Sequence, residues 1–317
     1  MIHSLRYDVN MTSENPDPEL PRAVALAWGV AANPQRGPKR EMSVERIVDV
    51  AVELADAGGL GAVSMSAVAS ALGFTPMSLY RYVTAKDDLV LLMQERGIGV
   101  PPESITETDG WRAGLDAWTR ATVELYIEHP WMLDIPISST PVTPNNLAWL
   151  ESALQVLEPV PISMNDKASI VLALIAQARW EGHVSRGYAE AAAAAGSTPD
   201  DLEIAATGIL DQLVTPEEFP FVHAALRAGV FSPDADPGDN PFAFGRDRVL
   251  DGVEHYLVTA PRVEAGATSD PLAAEVARDP KVKEAVKARR EVEKKLREAR
   301  KRERETARNV RERLRRT

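Results

Sequence analysis

No cysteine occurs among the 317 residues, which excludes a disulfide framework and a thiolate metal site. Long apolar runs are missing too. The longest, Ile170 to Ala176, falls far short of the roughly 20 residues that a membrane span needs. The N-terminus lacks the basic flank, apolar core and cleavage site of a secretory signal, so a soluble, cytoplasmic chain with no membrane partner is expected. The histidines (His3, His129, His183, His223, His255) show no metal-ligand spacing. There is no phosphate loop and no nucleophile motif, and Glu181 with His183 is too weak a pair to build chemistry on. Neither catalysis nor a cofactor is expected. Strand signals are scarce and helix caps abundant, so the fold class is all-α. With 44% hydrophobic residues, the chain has enough apolar side chains for two compact domains.

The net charge of −11 conceals an asymmetry. Residues 281–317 hold 17 Lys/Arg against 7 Glu, a net of +10, so the remainder carries −21. An acidic body repels DNA except where basic residues concentrate. Those places are Arg36, Lys39 and Arg40, then Arg81 and Lys86, then the C-terminal tail.

The chain is organised around residues 43–99. Val44, Ile47, Val48, Ala51, Leu54 and Ala55 share one face of a 3.6-residue period, with Ser43 as N-cap and Gly58-Gly59 as the stop. A second helix, capped by Ser64, runs to Leu72 with Val68, Ala69 and Leu72 inward. Gly73 supplies the left-handed residue of a sharp turn, and Phe74 plugs the small core. Thr75 caps a third helix from Pro76 to Val83, with Leu79 and Val83 buried and Met77, Ser78, Tyr80, Arg81 and Tyr82 outward. Thr84-Ala-Lys-Asp87 reads as a capping box for a fourth helix with Leu89, Val90, Leu92 and Met93 inward. The middle pair has helix-turn-helix spacing.

Val63-Ser64-Met65, Leu72-Gly73 and Met77-Ser78-Leu79-Tyr80-Arg81-Tyr82-Val83-x-x-Lys86-x-x-Leu89 resemble the DNA-binding domain of the TetR (tetracycline repressor) family. Arg36-Gly-Pro-Lys-Arg40, Ile47-Val48 and Leu54-Ala-Asp56 resemble its actinobacterial members. The resemblance implies that the third helix enters the major groove. Thr75 at its cap, then Pro76, Met77 and Ser78, would face base edges or the sugar–phosphate rim, with Arg81 and Tyr82 beside them. Tyr80, Lys86, Ser64 and Ser66 would bind phosphate. Helix N-termini offer free N–H groups to phosphate, and arginine grips guanine bidentately. Pro76 and Met77 stand where many members carry a polar residue, which shifts readout toward thymine methyls or DNA shape. The alternatives are that Tyr80 and Tyr82 are packing aromatics, the serines only caps and Lys86 a solvated lysine.

Residues 1–35 read as a mostly flexible extension, with a short apolar patch, Val24 to Val30, whose Trp28 is a candidate to dock elsewhere on the chain. Residues 36–100 are the DNA-binding domain, whose basic arm Arg36–Arg40 reaches a minor groove or is a solvated linker. Residues 101–260 hold about six helices: Asp109 to Glu128, Thr143-Pro144 to Leu157, Met164 or Asn165 to Gly187, two opened by capping boxes at Thr198 and Thr215, and Asn240-Pro241 to near Val258. The family resemblance, weaker here and clearest at Phe244–Glu254, implies an effector-binding and dimerisation domain. Leu202, Ala205, Ala206, Ile209 and Leu213 form one stripe for a homodimer; Val249, Leu250, Val253, Tyr256 and Leu257 form another. Gly245 and Gly252 permit close helix approach. The alternative is that both stripes pack within the chain. An apolar pocket for an apolar or aromatic small molecule is expected between helices, lined by Gln177, Trp180 and His183 at i, i+3 spacing and by Trp118 and Trp149. These side chains could equally be core or surface. Residues 261–279 read as a linker, and 280–317 as a basic helix or disordered tail, opened by Asp279-Pro280.

The expected function is a sequence-specific regulator, most simply a repressor that a small effector releases from a near-palindromic operator in double-stranded DNA. An architectural DNA-binding protein dominated by its basic tail is the alternative.

Overall fold

The computed structural model describes residues 20–30, 42–137, 142–230, 241–260 and scattered positions between 275 and 313. The arm with Arg36, Lys39 and Arg40, and most of the linker and charged tail, lie outside the described residues. Residues 1–262 form one compact unit and 263–317 another. In the second, Asp279 Oδ1 accepts from the Lys281 amide at 2.8 Å, the expected start of the charged helix.

The first unit is helical throughout its described residues. Its start departs from the flexible extension expected up to residue 35. Arg22–Ala27 form a short helix, α1, because Ala23 and Val24 lie on one face and are buried in the same core as the neighbouring helices. The next helices obey their caps. Helix α2 (Val44–Gly58) starts at Ser43, whose hydroxyl accepts from the Arg46 amide at 3.2 Å. Helix α3 (Met65–Leu72) starts at Ser64, which accepts from the Ala67 amide at 3.1 Å. Gly73 then takes φ +75°, a conformation with little penalty only for glycine.

The helix after the Gly73 turn is shorter than its sequence suggests. Helix α4 is Pro76–Leu79, not Pro76–Val83. Beyond it the chain turns, with the Tyr82 and Val83 amides both donating to Leu79 O. The turn sinks both Leu79 and Val83 into the core. Thr75 does not act as the expected side-chain cap; its hydroxyl pairs instead with that of Ser78 at 3.0 Å. Nor does Thr84 close a capping box: helix α5 (Lys86–Ile98) starts one residue later, at Ala85, and Thr84 bonds the Asp88 carboxylate.

Among the described residues six further α-helices follow: α6 (Trp111–Glu128), α7 (Pro144–Val156), α8 (Met164–Ala195), α9 (Pro199–Leu213), α10 (Pro220–Arg227) and α11 (Pro241–Thr259). Helix α8 runs beyond the expected end at Gly187 because its Ala-rich last turns favour helix, and Gly196 at φ +62° stops it. The capping box at Thr198 forms. That at Thr215 closes only a turn: Thr215 Oγ1 accepts from the Glu218 amide at 3.3 Å, but Pro220 forces Phe219 out of helical geometry and α10 begins there.

One core joins α1, α2, α3 and α5 to the α6 C-terminus and the 3₁₀ turn Pro130–Asp134; another joins α6, α7, α8 and α11. Most of the α11 stripe expected at a dimer face is monomer core. Leu250 and Val253 are buried, with Val249 and Leu257 packed against them. Gly245 is likewise used within the chain, since a Cβ there would meet Gln177 Nε2 at 3.0 Å.

The α6–α7 crossing depends on Gly114, where a Cβ would stand 2.6 Å from Val156 Cγ1. Gly114→Ala is expected to destabilise the chain by about 1–3 kcal/mol by overpacking, read as a lower urea midpoint. An unchanged midpoint would mean that the two helices separate freely.

Candidate functional site

Two features stand out: a protruding helix-turn-helix edge and an internal apolar cavity. At the edge, Met77 is 77% exposed and Tyr80 44%. Thr75, Pro76, Ser66, Arg81 and Lys86 are exposed, and Ser78 and Ser64 half-buried. Met77 is a large apolar side chain held in water at the first turn of α4, which intramolecular packing does not explain. Tyr82 is half-buried and packs against the core, so it serves the fold as well. The edge therefore displays Thr75, Pro76, Met77, Tyr80 and Arg81 around one short helix.

The cavity, about 580 Å³, lies among α5, α6, α7 and α8. Trp118 and Trp149 line it, as expected. Their rings meet edge to face at 6.0 Å, and the Trp118 indole N–H donates to Trp149 O at 2.9 Å. The Trp149 indole donates to Gly99 O at 3.0 Å, tying α7 to the end of α5. The wall from α8 is Ala168, Val171, Leu172, Ile175 and Arg179, spaced i, i+3, i+4, i+7, i+11 on one helix face.

Gln177, Trp180 and His183 do not line the cavity. Trp180 is on another face of α8 and 62% exposed. Gln177 lies against α11, its side-chain amide 3.5 Å from Phe242 O. His183 is exposed, one turn past Arg179, where Leu133 packs beside Gly182 and closes that end. The i, i+3 spacing of those three residues is real, but it belongs to the wrong side of the helix. The useful signal was the apolar row of α8 ending in a cation.

Arg179 is the cavity's own cation among its lining residues. Its Nη2 donates to Leu133 O at 2.6 Å and Ile135 O at 3.2 Å, and its guanidinium stands 5.7 Å from the Tyr126 ring centre. Burial pushes the Tyr126 hydroxyl up, against the opposing pull of Arg179. A polar end in a mostly apolar chamber orients a ligand while the walls supply affinity.

The two features share α5. Leu89, Leu92 and Met93 face the head's core, Gln94 faces the cavity, and Val90, Leu91 and Ile98 contribute to both. The fourth-helix pattern hinted at this, since α5 is apolar on more than one side. The Glu95 carboxylate accepts from the Asn145 amide at 2.9 Å, at the start of α7, and Asn145 Nδ2 returns a bond to Glu95 O at 2.9 Å. Burial pushes the Glu95 carboxyl up, against hydrogen bonds from Thr143, Asn145 and Asn146. On α2, Asp56 Oδ1 accepts from the Trp131 indole at 2.7 Å and lies 2.7 Å from His129 Nδ1. Among the described residues no cluster suits a metal ion, and no helix is long and apolar enough to cross a membrane.

The chain resembles known proteins along most of this unit. Residues 47–93 match the model of bacterial regulatory proteins of the tetR family, and residues 103–257 match the tetracyclin repressor-like C-terminal domain. The HTH-type transcriptional repressor DrrR1 of Streptomyces coeruleorubidus is 33% identical over 249 residues, 78% of this chain and 90% of that protein. The HTH-type transcriptional repressor Rv1353c of Mycobacterium tuberculosis is 25% identical, over 68% of this chain and 82% of that one. In structure, apo ActR from Streptomyces coelicolor matches with a TM-score of 0.56 at 21% identity, covering 71% of this chain and all of ActR. ActR in complex with actinorhodin gives 0.55, also at 21% identity, over 67% and 95%. The chain belongs to the TetR family of transcriptional regulators.

Proposed function

We propose that the chain is a repressor that leaves its operator when a flat, largely apolar molecule with an acidic or phenolic group fills the cavity. The observation that carries this is the double duty of α5, one side of which packs the reading head while another walls the cavity. An occupant that prefers a displaced α5 lowers the population of the operator-competent head spacing. The aromatic wall of Trp118 and Trp149 suits a planar ligand, and Arg179 suits a partial or full negative charge. The ActR complex with actinorhodin supports the reading by analogy.

In this reading Pro76, Met77 and Ser78 meet base edges, Arg81 stands beside them, and Tyr80, Lys86, Ser64 and Ser66 meet phosphate. A homodimer presents two such heads. Ile209 and Leu213 on α9, and Phe244 and Val258 on α11, are exposed, and each helix thereby offers apolar side chains to a second copy. Gly252 on α11 has open space beside it, which leaves room for a partner helix.

Site selection from random duplex DNA at moderate salt is expected to return a near-palindrome with half-sites about one helical turn apart. Sequence-independent binding that disappears when the chain is ended at Arg278 would favour an architectural protein driven by its basic tail. On the selected site, Lys86→Ala is expected to weaken binding evenly across sequences and to reduce the slope of log affinity against log salt by about 1. An unchanged slope would remove Lys86 from the phosphate contacts.

A further inference from the structure

The helix α1 precedes both matched regions of the chain. Its packing is specific. Ala23 is 1% exposed and Val24 6%, seated in the core that contains α2 and α5. Its two ends make different bonds. At the first, Arg22 Nη2 donates to Arg81 O at 3.2 Å, in the turn that ends the reading helix α4. Just past the second, the Trp28 indole N–H donates to Val142 O at 2.8 Å. Val142 lines the cavity and directly precedes Thr143, the N-cap of α7. Val142 is also exposed, as are Ile137 and Leu172 on the same cavity, so among the described residues these form a solvent-facing rim of the chamber, its mouth. A six-residue helix thus joins the cavity's mouth to the carbonyl of the last reading-turn cation.

We infer that α1 is a strap that holds the reading turn in place only while the mouth of the cavity is in its present position, with Arg22 and Trp28 as its positioning residues. The inference rests on the effector reading proposed for the cavity. The two bonds are made to backbone carbonyls, so they report where each segment is and not which side chain it carries. Glu95 anchors the start of α7 to α5, which leaves Val142, just ahead of it, as the residue that can move. An occupant that pushes Val142 outward breaks the Trp28 bond. With only Arg22 still tied, α1 loosens on α5 and the Arg81 turn loses its outside support. By reciprocity, a head that shifts away from Arg22 weakens the closure of the mouth.

The test needs neither operator nor effector. Trp28→Phe removes the indole donor and keeps a ring; Arg22→Met removes the guanidinium and keeps the stem. Both sites are exposed, so the fold tolerates either change. Hydrogen exchange is followed by NMR in the full chain. The strap predicts effects at the far end in each case. Trp28→Phe should speed exchange of the Tyr82 and Val83 amides, which donate to Leu79 O. Arg22→Met should speed exchange of the Trp28 indole N–H. Each effect should be about threefold to tenfold, the size of one exposed hydrogen bond, with the Val214 amide on α9 unchanged as control. Variants that change exchange only at their own end would overturn the strap. A chain that selects no operator sinks the regulatory reading instead, a result independent of the exchange data.

Discussion

Replacing Arg246 by methionine is expected to destabilise the chain by about 3–5 kcal/mol, the usual result of removing one partner from a buried ion pair. Arg246 lies on α11, 6% exposed. Its Nε donates to Asp116 Oδ1 on α6 at 2.6 Å, and its Nη1 stands 3.7 Å from Glu181 Oε2 on α8. One cation thus fastens three helices. Methionine fills most of the volume, so the loss is electrostatic and not a cavity. Asp116 retains Arg120 at 2.9 Å. Glu181 Oε2 is already buried without a hydrogen bond and would keep only the weaker pull of Arg120.

The same site sets a pH dependence. Burial raises the Glu181 carboxyl above the usual glutamate range, against the opposing pull of Arg246 and Arg120. A carboxyl whose folded value exceeds its unfolded value binds protons more readily in the native state. Its contribution is therefore stabilising below the unfolded value and is lost as pH rises through the folded one. The Arg246→Met deficit should accordingly be largest at neutral pH and shrink as pH falls through the raised range in which Glu181 takes up its proton, a range that loss of Arg246 moves further up. Urea unfolding at several pH values reads both. A deficit independent of pH would show that Glu181 is not the group left uncompensated.

Trp149→Ala should destabilise by a similar amount, about 3–5 kcal/mol, and abolish tight binding of planar ligands. Trp149 is buried, forms the cavity wall with Trp118 and bonds to the carbonyls of Ile98 and Gly99 at 3.3 and 3.0 Å. Its removal enlarges the cavity and leaves those carbonyls, at the C-terminal end of α5, without their donor. Trp149→Phe separates the two roles. It keeps an aromatic wall and should cost about 1 kcal/mol for the lost donor, with ligand binding largely retained. Equal losses in both variants would assign Trp149 to the end of α5 alone. Chemical unfolding and titration with actinorhodin as a trial planar ligand provide the two measurements.

The local decisions of the chain were legible without any structure. Ser43, Ser64, Gly73 and Thr198 act where the sequence places them, and the family is evident from the reading-head string around Leu79 and Tyr80. A cap or a left-handed glycine is decided within four residues, so its signal is complete in the sequence. Even there, neighbours intervene: burial of Leu79 and Val83 ends α4 early, and Pro220 cancels the box at Thr215.

The side that each helix turns to its neighbours was decided only in three dimensions. Helix α8 offers two plausible rows, one through Gln177, Trp180 and His183 and one through Val171, Ile175 and Arg179. Only the packing of α6 and α7 on it places the cavity beside the second. The α11 stripe could serve a dimer or the monomer, and the positions of α6 and α8 settle it for the monomer at Leu250 and Val253. Helix α1 is the clearest case. Six residues have too little internal bonding to be helical alone, and α5 supplies the apolar surface that orders them. Most helix starts and stops were thus fixed by contacts a few residues apart, with α1 and α4 the exceptions. The cavity, the monomer's share of the apolar stripes and the placing of Arg22 and Trp28 rest on contacts between residues 114 and more positions apart, which no local pattern encodes.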